Sequence, residues 1–69
     1  MQLIVNGEER VFSGGSVNDL LESLDIDPRR VAVELNLDIL PKGDYGTTML
    51  QDGDRLEIVH FVGGGGSRQ

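Results

Sequence analysis

The chain has 69 residues, twelve of them acidic, six basic and none cysteine, for a formal net charge of -6. That length holds one domain with a small core, and without cysteine there is no disulfide, thiolate metal site or cysteine nucleophile, which fits a reducing compartment. The charge argues against nucleic acid or an anionic membrane as a partner and favours a basic protein surface.

No apolar run is long enough to span a bilayer, and the first seven residues lack the basic start and long apolar core of a signal peptide, so a cytoplasmic protein is expected. Residues 2–6 are rich in β-formers and read as a short strand. Asn6-Gly7 is a hairpin signal because both residues tolerate positive φ, and residues 8–12 return as a second strand. Ser13-Gly14-Gly15 breaks it. Ser16 then sits at an N-cap position with Asp19 three residues on, close to a capping box. Val17, Leu20, Leu21 and Leu24 follow the spacing of one buried helical stripe, while Asn18, Asp19, Glu22 and Ser23 fall on the wet side. Asp27-Pro28 ends the helix, since the residue before proline is pushed out of the helical region.

Residues 31–35 are apolar and β-branched and predict a third strand; residues 36–40 predict a turn and a short strand ended by Pro41. Residues 42–48 read as a loop, and Gln51-Asp52-Gly53-Asp54 as a further turn. The last and longest strand is expected over residues 55–62. Its alternation sets Leu56, Ile58, His60 and Val62 on one face and Arg55, Glu57, Val59 and Phe61 on the other. The order β-β-α-β-(β)-β, with one helix to cover one sheet face, predicts an α+β β-grasp: a mixed four- to five-stranded sheet packed on a single helix. The most apolar strands, the first and last, should lie parallel at its centre. Residues 1–62 form this domain and residues 63–69 a flexible, glycine-rich tail.

Four consecutive glycines, Gly63 to Gly66, follow the last strand. Each is entropically costly to order and brings no side chain to pack, so the run suits either a passive spacer or a thin peptide that must enter a narrow site. Other chemistry is sparse. His60 is the single histidine and has no second ligand at metal spacing, so it reads as a strand residue packed in the sheet. The carboxylates Glu8, Glu9, Asp25, Asp27, Asp52 and Asp54 sit mostly in turns, where backbone reasons favour them. Gly14-Gly15-Ser16 reads as turn plus cap rather than a phosphate site, because no Walker lysine follows. No catalytic residue, metal site or bound cofactor is expected.

The segment from Asp52-Gly53-Asp54-Arg55-Leu56-Glu57-Ile58-Val59-His60-Phe61-Val62 into the glycines resembles the C-terminal segment of the bacterial thiamine-biosynthesis sulfur carriers (ThiS/MoaD-type), ubiquitin-like β-grasp proteins. Leu3-Ile4-Val5-Asn6-Gly7, the helix of Val17 to Leu24, and Val31-Ala32-Val33-Glu34-Leu35-Asn36 followed by Ile39-Leu40-Pro41 are similar too, so the likeness covers essentially the whole chain. The resemblance implies a protein cosubstrate rather than an enzyme. An adenylating, E1-like partner uses ATP to activate the terminal glycine carboxylate, sulfur replaces AMP, and the thiocarboxylate donates sulfur to an acceptor, in this family the thiazole precursor of thiamine made by thiazole synthase. It sets the sulfur-carrying terminus at Gly65, preceded by Gly64, with Gly66 the alternative; the partner-docking residues are expected at Val59, Phe61, Val62 and Gly63.

This chain departs from the carriers by continuing into Ser67-Arg68-Gln69, so the resemblance requires their removal. That points also to related carriers trimmed by a metalloprotease and serving cysteine or methionine synthesis; the small subunit of molybdopterin synthase is a further relative, and a modifier conjugated to lysines shares the adenylation step. A reading of another class is a β-grasp binding module whose glycines are a linker. Val59 and Phe61 face away from Leu56 and Ile58. They are expected to form an apolar patch for the activating enzyme with acidic residues around it, the alternative being burial under the loop at residues 42–49.

Overall fold

The computed structural model of the chain describes residues 1–61. It contains β1 (Gln2–Val5), β2 (Glu8–Val11), α1 (Val17–Ser23), β3 (Val31–Leu35), β4 (Asp38–Leu40) and β5 (Arg55–His60), with short 3-10 turns at Pro28–Arg30 and Lys42–Asp44. The strands form one sheet in the order β2-β1-β5-β3-β4. β1 and β5 are parallel neighbours, while β1–β2, β3–β4 and β3–β5 are antiparallel. The expected central, parallel pairing of the first and last strands is therefore present. β5 ends at His60, with Phe61 outside the strand expected to reach residue 62; Val62 lies outside the described residues.

α1 covers one face of the sheet. Its stripe of Val17, Leu20 and Leu21 is buried against Leu3, Val5, Val31, Val33, Leu56 and Ile58, with Leu24 packed at the margin. Burying each such side chain contributes about 1.5–3 kcal/mol, which a helix of seven residues needs because propensity alone cannot hold it. The N-terminus of α1 is closed by a full capping box. The Ser16 hydroxyl accepts from the Asp19 N–H at 3.1 Å, and the Asp19 carboxylate accepts from the Ser16 N–H at 2.8 Å. The next free amides, Val17 and Asn18, donate to the carbonyls of Thr48 and Tyr45 at 3.0 and 2.9 Å. Gly15 has φ +136°, and a Cβ there would meet the Asp19 carboxylate, so the box depends on this glycine.

The segment read from sequence as a loop over residues 42–48 completes the core. Tyr45 is buried and its hydroxyl donates to the Val31 carbonyl at 3.3 Å, while Leu50 closes the same edge. Burial pushes the Tyr45 phenol pKa up.

Two asparagines in the left-handed region, Asn6 (φ 51°) and Asn36 (φ 51°), hold β5 from either side. The main-chain ladder between β1 and β5 runs as far as the Asn6 N–H donating to the Leu56 carbonyl at 2.9 Å. There the chain turns into the hairpin, and the Asn6 side chain takes over. Its Oδ1 accepts from the Ile58 N–H at 2.7 Å and its Nδ2 donates to the Ile58 carbonyl at 3.1 Å. Asn36 acts alike at the start of β5: its N–H donates to the Arg55 carbonyl at 2.8 Å and its Oδ1 accepts from the Arg55 N–H at 3.0 Å. Asp52 and Asp54 also serve the backbone, accepting from the Gln2 and Gln51 N–H groups at 2.6 and 2.8 Å.

Candidate functional site

Strand pairing decides what surrounds the point where the chain leaves the sheet. β3 and β5 are antiparallel with Val31 opposite His60, so the residues just before β3 must lie beside the residue just after β5. The Phe61 N–H accordingly donates to the Arg30 carbonyl at 2.9 Å. Lys42 reaches over from the turn after β4. Its Nζ stands 4.6 Å from the centroid of the Phe61 ring and donates to the Arg29 carbonyl at 2.8 Å. Phe61, the last described residue, is thus held by one backbone bond and one cation.

The sheet face turned away from α1 has no covering layer among the described residues. Along β5 it presents Arg55, Glu57 and Val59, followed by Phe61, and Val59 and Phe61 are 59% and 60% exposed. Ala32 lies beside Val59 and Glu34 beside Glu57. Ile39, on the edge strand β4, pairs with Glu34 and is 78% exposed. The expectation that Val59 and Phe61 are exposed beside the tail holds, and the alternative of burial under the loop at residues 42–49 does not. Lys42 touches Phe61 from that side without covering it. The expected acidic surround needs correcting: Glu34 and Glu57 lie at one end of the patch, but at Phe61 the neighbour is the Lys42 ammonium, with the backbone of Arg29 and Arg30 alongside.

Asp27 orders this basic end. Its carboxylate accepts from the Arg29 backbone N–H at 2.9 Å, from Arg29 Nε at 3.1 Å and from Arg29 Nη2 at 2.9 Å, with Arg30 Nε at 3.7 Å. The Arg29 side chain, and then its backbone N–H, hold the Asp27 carboxyl at about 2, below the ordinary 3.8.

His60 departs from expectation. It points to the helix side opposite Val31, yet it is exposed, because the cover of α1 reaches only to Leu24 and the following Ile26. It stands with Glu8, Arg10, Asn6 and Ile58 at the rim of a hollow of about 200 Å³. A second, wider hollow of about 510 Å³ lies beside α1 and is lined by Asn18, Asp19, Glu22, Asp25, Ile26, Asp27 and Pro28. Among the described residues no three His, Cys, Asp or Glu side chains converge as a metal site. Among the described residues no helix is long and apolar enough to cross a membrane. Val62, Gly63, Gly64, Gly65 and Gly66, named from the sequence as docking or sulfur-carrying positions, lie outside the described residues. Sequence reasoning missed Lys42 and Arg30 as neighbours of Phe61. The expected pairing of the third and last strands could have signalled Arg30; nothing local signals Lys42.

A five-stranded mixed sheet with its last strand at the centre, one helix on one face and an open opposite face defines a ubiquitin-like β-grasp protein. The profile of the ThiS family matches residues 3–65. The chain belongs to that family. It is 47% identical over 51 residues to the sulfur carrier protein ThiS of Bacillus subtilis, covering 74% of this chain and 77% of that one. A crystal structure of the thiamine biosynthesis protein ThiS from Geobacter metallireducens superposes with a TM-score of 0.81 at 35% identity, over 94% of this chain and all of that one. A protein of Paramagnetospirillum magneticum named thiazole synthase is 54% identical over 66 residues, which are 94% of this chain but 20% of that protein. The chain spans about a fifth of the length of that relative.

Proposed function

We propose that this protein carries sulfur as a C-terminal thiocarboxylate for thiazole formation in thiamine biosynthesis. In this reading the Gly65 carboxylate, freed of whatever follows it by a processing protease, attacks the α-phosphorus of ATP on an E1-like activating enzyme and pyrophosphate leaves. A sulfur nucleophile then displaces AMP, and the thiocarboxylate passes its sulfur to thiazole synthase in the cytosol. A carboxylate is a poor electrophile until one oxygen becomes a good leaving group, and adenylation supplies that. The chain itself needs no base or nucleophile, consistent with turn carboxylates engaged by the backbone and a solitary, exposed histidine. The observation that carries the reading is a family match that begins in β1 and extends to the third glycine, Gly65. Relatives named thiazole synthase that contain a segment like this chain support the choice of acceptor.

The docking surface in this reading is the open face around Val59 and Phe61, next to the tail. Its apolar centre suits burial at an interface, and it includes Phe61, the residue from which the tail continues. The test is intact-mass measurement of a chain ending at Gly65 after incubation with an activating enzyme, ATP and a sulfur source. The expected mass change is one oxygen replaced by sulfur; an unchanged mass on a folded, correctly ended chain would defeat the reading.

A further inference from the structure

The open sheet face is electrically two-ended. At the tail exit the Lys42 ammonium stands over Phe61, and the neighbouring Arg29 and Arg30 lend their carbonyls to Lys42 and Phe61 while their largely exposed guanidinium groups lie against Asp27. Asp44, in the same 3-10 turn as Lys42, makes no ion pair with it, and half of the chain's six basic residues stand at this one spot on a protein of net charge -6. Four residues back along β5, about 13 Å by strand rise, Glu57 lies directly across from Glu34. Like charges in this register destabilise a sheet. Neither carboxylate has a cation within ion-pair reach among the described residues; Arg55, the next open-face residue of β5, makes none. Between the two ends lie Ala32 and Val59. A lone charge run on a surface is ordinary solvation. Here opposite ends are separated by an exposed apolar centre, and a repulsive pair is left uncompensated within the sheet.

We propose that this polarity sets the orientation in which thiazole synthase takes the carrier: its surface presents carboxylates at the mouth of the channel that receives the tail, and a cation that comes to rest over Glu34 and Glu57. Reversed docking would set like charges together at both ends, so only the productive direction is attractive. The proposal rests on the sulfur-carrier reading, from which it takes its partner.

The experiment measures association rate and Kd between the full chain and thiazole synthase at several salt concentrations, for four charge reversals. Lys42→Glu and Glu57→Lys lie at the two ends of the face. Arg10→Glu and Glu22→Lys make the same changes in net charge on the helix side. Each of the first pair should weaken binding about five- to tenfold, chiefly through the association rate, and flatten its salt dependence. Each control should change binding less than about twofold. Circular dichroism confirms folding of every variant. Equal effects in both pairs, or no measurable binding by the unaltered chain, overturn the proposal. Sulfur loading of the Gly65-ended chain is scored separately: loading without the two-ended pattern refutes the docking proposal alone, and the pattern without loading refutes the carrier reading alone.

Discussion

Replacing Asn6 separates two physical effects that the wild-type residue combines. Its backbone has φ 51°, and its side chain exchanges two hydrogen bonds with Ile58 where the β1 main chain has turned away. In Asn6→Gly the left-handed conformation is at least as comfortable, so the loss isolates the side chain. Two bonds at roughly 1 kcal/mol each give about 2 kcal/mol. Asn6→Ala loses the same bonds and adds about 1 kcal/mol for a Cβ in the left-handed region. For a domain of this size each kcal/mol moves Tm by about 4–8 °C. Asn6→Gly should therefore melt about 8–16 °C below wild type, and Asn6→Ala lower still. Thermal unfolding followed by circular dichroism measures both, and amide exchange locates the change: the Ile58 N–H should lose protection in each variant, the Leu3 N–H, paired in the β1–β2 ladder, far less. A glycine variant with wild-type Tm and an equally protected Ile58 amide would show that the side chain does not continue the ladder, and the account of how β5 is fixed would fall.

Leu37 stands at φ 76° in the β3–β4 turn, 81% exposed; Leu37→Gly removes that strain and should raise stability by about 0.5–1 kcal/mol, read as a higher denaturant midpoint at constant slope. Asp27 has its pKa lowered to about 2 from 3.8, so its stabilising effect is complete above about pH 4 and fades as pH falls towards 2. The stability difference between wild type and Asp27→Asn should accordingly be constant near neutrality, shrink between about pH 4 and 2, and vanish only below about pH 2 in acid-titrated denaturation curves. Gly15→Ala sets a Cβ against the Asp19 carboxylate at a φ that side chains rarely adopt; it should cost about 2–3 kcal/mol through strain and a broken capping box, visible as lost protection of the Asp19 amide. In the carrier reading Gly65→Ala on a chain ending at that residue should fold normally and take up sulfur far more slowly, scored by intact mass against time.

Much of the fold was legible because local signals agreed with tertiary placement. Val17, Leu20 and Leu21 share a helical stripe and all three are buried; Asn6-Gly7 makes the expected hairpin turn; Leu56 and Ile58 alternate with Glu57 and Val59 as a one-sided strand requires. What was missed depends on distant residues. Tyr45 sits among Asp44, Gly46 and Thr47 with no periodic pattern, and only the gap between Val31 and the start of α1 makes it core. His60 has the parity of a packed residue, but parity says nothing of how far a seven-residue helix reaches. Leu37 occupies a turn position that normally belongs to glycine or asparagine, so no residue preference could announce it. At the site, the exposed faces of Val59 and Phe61 followed from alternation alone. The approach of Arg30 and Lys42 to Phe61 did not, because it depends on the register between β3 and β5 and on where the turn after β4 lands.

The bonds between Asn6 and Ile58 join residues 52 positions apart, and they have a consequence for biosynthesis. A ribosome releases β1 first and β5 last, so the inner side of β1 stays unpaired until nearly the whole domain has emerged. Until then β1 and β3 each expose a bare edge that invites pairing with other nascent chains. When β5 does insert, it closes both gaps at once. A half-made molecule therefore lacks the finished sheet on which Val59 and Phe61 stand exposed, and that face exists only once the last strand is in place.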